Sequence, residues 1–299
     1  MTDIPDAARA DSEPWRPLQT LLLVLTVLAC LVAGTTFLPR YADFGMMEHL
    51  GRLAAHPALL LDGAPFALPL LLILGVHEMG HFLSARRRGI RVTWPYFLPG
   101  PPFISLGTFG AFIRLKGPIP DRGALMEVGA NGPLWGFAAS VAVAVAGFAL
   151  GLAGIRMPTD LGVNVHLPLA FWWLRGTFTG HWALSLTFFD NPLLLAAWLG
   201  FFVQGLNLLP VGQLDGGHVL YAFAGVRHRA MSLAVGLLFL AFAVFHPQWL
   251  LWVGLVFFVL GLRHPPTMND ARGLDAEQVL RGVGAGLVFL LCFVPVPFA

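Results

Sequence analysis

The sequence predicts a membrane all-α protein, a polytopic helical bundle of about seven spans. Three observations predict it. Hydrophobic residues make up 57% of the chain and charged residues only 11%, where an ordinary soluble domain carries about 25% charge. The mean hydropathy is +0.74. The apolar residues are gathered into runs of spanning length, separated by stretches rich in Pro, Gly and Arg. The net charge of +2 says little by itself, and no basic-aromatic patch points to nucleic acid. Cys30 and Cys292 sit inside apolar runs without CxxC spacing, so they read as small residues of packed or lipid-facing helices.

Residues 1–17 are polar and of mixed charge, and are expected to form a cytoplasmic tail. They lack a basic n-region, and the apolar run after them is long, so it reads as a retained first span at about Leu18–Leu38. Pro39 and Arg40 end it. Residues 40–63 are mixed and leave room for a short interfacial helix, with His49 and His56 as ordinary loop histidines. The second span, about Ala64–Ala85, runs into Arg86, Arg87, Arg88 and Arg91, which the positive-inside rule places in the cytoplasm. Residues 92–132 are too proline-broken to span. Within them Gly107-Thr108-Phe109-Gly110-Ala111-Phe112-Ile113 reads either as a short strand bounded by turns or as an ordinary loop. An exposed strand edge would be able to pair with an extended peptide.

The third span is expected from Pro133 to about Gly154, because Pro suits a first helical turn. An external loop is expected over 155–190, with Phe171-Trp172-Trp173 at the interface. The fourth span, about Pro192–Leu209, is followed by three more: Met231–Phe245, Gln248–Leu262 and Gly282–Val296. This arrangement leaves the N-terminus inside and the C-terminus outside.

The second span contains His77-Glu78-Met79-Gly80-His81. Positions i and i+4 share a helix face, so two imidazoles can reach one metal, with the glutamate placed to act on a water. Ionisable groups in a span cost about 2.5–3.5 kcal/mol each on insertion scales. Three within five residues need a common reason, and a metal supplies one. The fourth span ends in Asn207-Leu208-Leu209-Pro210-Val211-Gly212-Gln213-Leu214-Asp215-Gly216-Gly217-His218. Pro210 and the glycines break the helix there, and a break at membrane depth is tolerated where it lines a cavity. Spans alternate in direction, so both motifs lie at cytoplasmic ends, where His77, His81 and Asp215 can meet.

His77-Glu78-Met79-Gly80-His81 in a membrane span, followed in order by Asn207-Leu-Leu-Pro210 and Asp215-Gly216, resembles the site-2 protease family of intramembrane metalloproteases (peptidase family M50). Gly107–Ile113 looks like that family's membrane-associated β-hairpin region, and Arg263-His264-Pro265-Pro266-Thr267 is similar to a segment found after the core in some members. The resemblance brackets about residues 64–225 as a catalytic core within a membrane protease domain of 18–299. It implies a minimal member, without PDZ or CBS domains, of a bacterial inner membrane, with its site toward the cytoplasm.

By residue chemistry, one Zn²⁺ per chain would take His77, His81 and Asp215, leaving a fourth position for water. Glu78 would be the general base. Asn207 resembles the family's asparagine that positions the substrate or the oxyanion, and reads equally as a helix–helix hydrogen bond. His218 would either support the site or belong to the loop. The resemblance implies single-span membrane proteins as substrates, often shortened first on the outer side by a separate protease of the site-1 type. Gly107–Ile113 would then hold the unwound substrate by its backbone. The alternative from another class is a membrane metal transporter or metal sensor using the same His/Asp site. An inactive scaffold is disfavoured by the intact motif.

Overall fold

The computed structural model describes residues 14–41, 43–103, 105–254 and 261–298. Most of the polar tail, and the middle of the expected span Gln248–Leu262, lie outside them. The chain forms helices α1 (Pro17–Thr36), α2 (Met46–Ala55) and α3 (Ala64–Arg87), then strands β1 (Tyr96–Pro99) and β2 (Thr108–Phe112), then α4 (Arg122–Leu152). There follow β3 (Thr159–His166), α5 (Leu169–Thr179), β4 (Ser185–Phe189), α6 (Pro192–Asn207), α7 (Asp215–Ala224), α8 (His228–Phe245), α9 (Leu250–Gly254) and α10 (Ala276–Cys292).

Among the described residues four helical stretches are long and apolar enough to cross a membrane: Pro17–Thr36, Pro57–Arg87, Arg122–Leu152 and Asp215–Phe245. The last joins α7 to α8 through a single 3₁₀ turn, so the expected span at Met231–Phe245 is the second half of a longer helical stretch. The apolar helix α6 has 16 residues and α10 has 17. Leu18, Leu21, Val24 and Leu25 of α1, and Leu237, Leu238 and Val244 of α8, are left exposed. A soluble surface rarely carries apolar faces of that extent.

α3, α4 and α6 pack on one another and form the core. α7 lies on α4, α10 lies on α4 and α6, and α1 flanks α3 and β1. The core is built on close approach. An added Cβ at Gly80 of α3 would fall 2.6 Å from the Asn131 carbonyl oxygen of α4, so backbones meet where side chains are missing. Asn131 also donates from Nδ2 to Ser84 Oγ at 2.7 Å and accepts from Arg281 Nη1 of α10 at 2.8 Å. This polar tie joins three helices beside the HEMGH turn.

α4 starts at Arg122, eleven residues before the expected Pro133, and carries that proline in its interior. Its true start is capped by Asp121, whose side chain accepts from the Ala124 N–H at 2.8 Å. Proline is tolerated inside membrane helices because neighbours satisfy the freed backbone groups. Residues 155–190 are not the expected loop. β3 and β4 pair antiparallel, and α5 lies between them in the chain. His49 is not a loop histidine: it is buried on α2, with Nε2 2.8 Å from Thr35 Oγ1. His56 caps the end of α2, in line with a turn.

β1 and β2 form an antiparallel hairpin, with Tyr96 opposite Phe112, Phe97 opposite Ala111 and Leu98 opposite Gly110. The strand reading of residues 107–113 is therefore the one the fold adopts. Gly107 takes φ +88°, which an L side chain rarely adopts, to turn the chain into β2.

Candidate metal centre and its cleft

His77 and His81 lie one turn apart on the same face of α3, both buried. Asp215 comes from the first residue of α7, just past the break after α6. His77 Nε2 and His81 Nε2 are 3.0 Å apart. Asp215 Oδ2 lies 3.3 Å from His77 Nε2, and Oδ1 lies 3.3 Å from His81 Nε2. Glu78 is buried next to them, with Oε1 3.9 Å from His77 Nε2. The spacing that links positions 77 and 81 to position 215 across the membrane fold is thus realised.

The donor set fits zinc. The Val128 carbonyl oxygen lies 2.6 Å from His81 Nδ1, and Gln204 Oε1 lies 2.7 Å from His77 Nδ1. Both oxygens can only accept, so each Nδ1 carries the hydrogen and each Nε2 presents a lone pair. Two lone pairs and a carboxylate therefore converge on one point. Ligands about 2.0–2.1 Å from a tetrahedral zinc stand about 3.3–3.4 Å from each other, close to the separations in this triangle. Three protein ligands with an open side are the pattern of a catalytic site.

Packing holds the triangle in place. A Cβ at Gly132 of α4 would collide with His81 Nε2, and a Cβ at Gly216 would collide with the Leu208 carbonyl. Asn207 Nδ2 stands 3.5 Å from His77 Nε2, at the edge of the metal position. Gln204 and Val128 are not among the site residues the sequence predicts. Gln204 had a signal, since it is a fully buried polar residue one helical turn before Asn207 on an apolar helix. Val128 had none, because it acts through its backbone.

The centre opens into a cleft of about 650 Å³, whose walls include Ala111–Leu115, Asn207, His218, His264 and Pro265. The Ile113 backbone N–H points at the Glu78 carboxylate. The Arg114 carbonyl accepts from Thr93 N at 3.1 Å on the β1 side. By the alternation of a strand, Ala111 and Ile113 turn their backbone groups the other way, toward the cleft. Of the predicted stretch 107–113, only Ala111, Phe112 and Ile113 reach the cleft wall; Gly107, Thr108, Phe109 and Gly110 lie farther along the hairpin. His218 belongs to helix α7, not to a loop.

The segment 263–270 is tied across this region. His264 Nε2 lies 2.7 Å from His218 Nδ1, and the His264 ring stacks on Tyr221 at 4.4 Å. Tyr221 donates to Asp270 Oδ2 at 2.7 Å. Met268 N and Asn269 N donate to the Ile119 and Pro120 carbonyls at 2.9 and 3.0 Å. His264 lies outside the spans, and burial pulls it down to about 4.

The family model described as Peptidase family M50 matches residues 65–245. Among curated proteins, "Probable zinc metalloprotease EGY2, chloroplastic" of Oryza sativa subsp. indica is 34% identical over 252 residues, 80% of this chain and 44% of that protein. "Probable zinc metalloprotease EGY1, chloroplastic" of Arabidopsis thaliana is 35% identical over 169 residues, 54% of this chain and 30% of that one. "Putative zinc metalloprotease Rip3" of Mycobacterium tuberculosis (strain ATCC 25618 / H37Rv) is 30% identical over 180 residues, 60% and 36% of the two chains. The chain spans less than half the length of these relatives. Two are plant proteins named as chloroplastic and one is mycobacterial, so these names do not single out a bacterial inner membrane. No solved structure matches the chain.

Proposed function

Because the chain belongs to peptidase family M50, we propose that it is an intramembrane zinc metalloprotease that hydrolyses peptide bonds within or near the transmembrane segments of single-span membrane proteins. One observation carries the proposal: His77, His81 and Asp215 converge from two apolar helical stretches, with the Glu78 carboxylate beside them in a cleft. The relatives' names as zinc metalloproteases support it.

His77 and His81, through Nε2, and Asp215 would hold the ion, and Gln204 and Val128 fix the tautomers that expose those lone pairs. Zinc there supplies Lewis acidity toward a peptide carbonyl and a water. Glu78 is the base that takes the proton from the attacking water and passes it to the leaving amine. Asn207 Nδ2, beside the site, donates to the oxygen on which charge develops.

A substrate helix shields its own peptide bonds and must unwind before attack. The cleft-facing backbone of Ala111, with the Ile113 carbonyl, then holds the extended segment by pairing, which selects helix instability and apolar character over sequence. In this reading α6 and α10 also cross the bilayer in a topology of about seven spans. Arg86, Arg87, Arg88 and Arg91 keep the site's end cytoplasmic, and the substrate arrives already trimmed by an upstream protease of the site-1 type. A metal transporter has no use for a base beside the ligands, and that reading is not favoured.

The test is cleavage of a purified single-span substrate in detergent, with the cut mapped by mass. A cut inside or beside the apolar segment that stops on chelation and returns with added zinc is the expected result. Cleavage confined to soluble regions, or insensitive to chelation, would reject the proposal.

A further inference from the structure

His218 stands one helical turn past Asp215 on α7 and lines the same cleft. Its ring is oriented by a hydrogen-bond chain whose direction is fixed from the far end. The Pro265 carbonyl oxygen, 2.6 Å from His264 Nδ1, can only accept, so Nδ1 of His264 carries the hydrogen. In the neutral ring, His264 Nε2 is then an acceptor, and the low affinity of this half-buried imidazole for a second proton keeps it so. His218 Nδ1, 2.7 Å away, must be the donor. His218 Nε2 is left with a lone pair. It has no hydrogen-bond partner among the described residues and is not sealed inside the protein.

The ring is also confined. A Cβ at Gly129 would fall 2.7 Å from His218 Cβ, so α4 closes one side. On the other side His264 is held by its stack on Tyr221, which Asp270 anchors in turn. Four residues thus serve to present one acceptor to the cleft. An extended substrate exposes N–H and C=O groups on both edges. β2 can satisfy only one edge, and an unpaired N–H in an apolar setting is costly.

We propose that His218 Nε2 accepts a hydrogen bond from a substrate backbone N–H on the edge not paired with β2, and that His264 is the positioning residue that fixes His218 in the required tautomer. This rests on the protease reading above and adds a second, side-chain contact to the strand edge.

The test uses binding, not turnover. The full chain carrying Glu78→Gln, loaded with zinc in detergent, is titrated with a labelled single-span peptide of leucine and alanine that has a central Asn-Gly helix break. On that background His218→Ala should weaken binding roughly three- to tenfold, the worth of one hydrogen bond. His218→Gln, whose amide oxygen reaches toward the place of Nε2, should recover most of it. His264→Phe, which keeps the stack on Tyr221 but not the acceptor, should give a smaller loss. Zinc content should be equal throughout. An ester in place of the contacted peptide amide should weaken binding to the parent and not to His218→Ala.

Unchanged binding by His218→Ala would overturn the proposal. So would a Gln variant no better than Ala, or loss of zinc from the Ala variant. Failure of the Glu78→Gln chain to bind the peptide, together with no cleavage by wild type, would instead overturn the protease reading.

Discussion

Gln204 Oε1 lies 2.7 Å from His77 Nδ1, and this contact across the α3–α6 interface decides which nitrogen of His77 faces the metal position. Gln204 has no other visible reason to be there. It is fully buried on an apolar helix, and its Nε2 has no partner among the described residues. Partners of this kind are worth about 10- to 100-fold in metal affinity. Gln204→Leu should therefore weaken zinc binding by that order while the protein stays folded. Competition with a chromogenic chelator reads the affinity, and far-UV circular dichroism reads the fold.

Gly132 should be as sensitive as a ligand. A side chain there would occupy the space of the buried His81 ring and push it from its place. Gly132→Ala should cost more than tenfold in zinc affinity, in the range of a lost supporting partner or worse. Gly151, around which an added Cβ meets nothing, is the control, and Gly151→Ala should keep its zinc.

The strand edge can be tested without touching the metal. Ala111 turns its N–H toward the cleft, so Ala111→Pro removes a donor to substrate while leaving the β1 side of the hairpin paired. We expect kcat/KM to fall about tenfold, with zinc content unchanged. Ala111→Gly, which keeps the N–H, should lose little. Equal activity of the Pro variant and wild type would remove β2 from substrate binding.

Asp270 anchors the segment that carries His264. Burial pushes its carboxyl pKa up. The hydrogen bonds from Thr267 Oγ1 at 2.6 Å and Tyr221 at 2.7 Å outweigh that and hold it below the usual carboxylate range. A lowered folded value means that the carboxylate stabilises the fold above the unfolded pKa of about 3.9, and that this is lost as pH falls through the folded value. Asp270→Asn should therefore lower the thermal midpoint at pH 7, and the difference from wild type should shrink below about pH 4. Hydrogen exchange over 263–270 should follow the same course.

The candidate metal centre is legible in the sequence because its rules are local. The i, i+4 spacing of His77 and His81 fixes a face, and the parity of the spans brings Asp215 to the same end of the bundle. What supports the ligands was less legible. The Val128 carbonyl has no side-chain signature, and the pairing of His218 with His264 joins residues 46 apart: the resemblance of 263–267 to a segment after the core in some family members does not name its partner. Pro133 misled because a proline that starts a helix in water can sit inside one in a membrane. The hairpin of β3 and β4 is hard to read from the sequence although Thr159–His166 and Ser185–Phe189 carry the β-branched and aromatic residues strands favour, because Gly162 and the helix-forming residues between them dilute the pattern.

The most direct measurement pairs zinc content with cleavage for wild type and Glu78→Gln. The arrangement of Glu78 beside three ligands predicts equal zinc in both chains and a loss of about 10²–10⁴ in cleavage rate for the variant, the usual share of a general base. Equal cleavage by the two chains, or no zinc in either, would contradict the account.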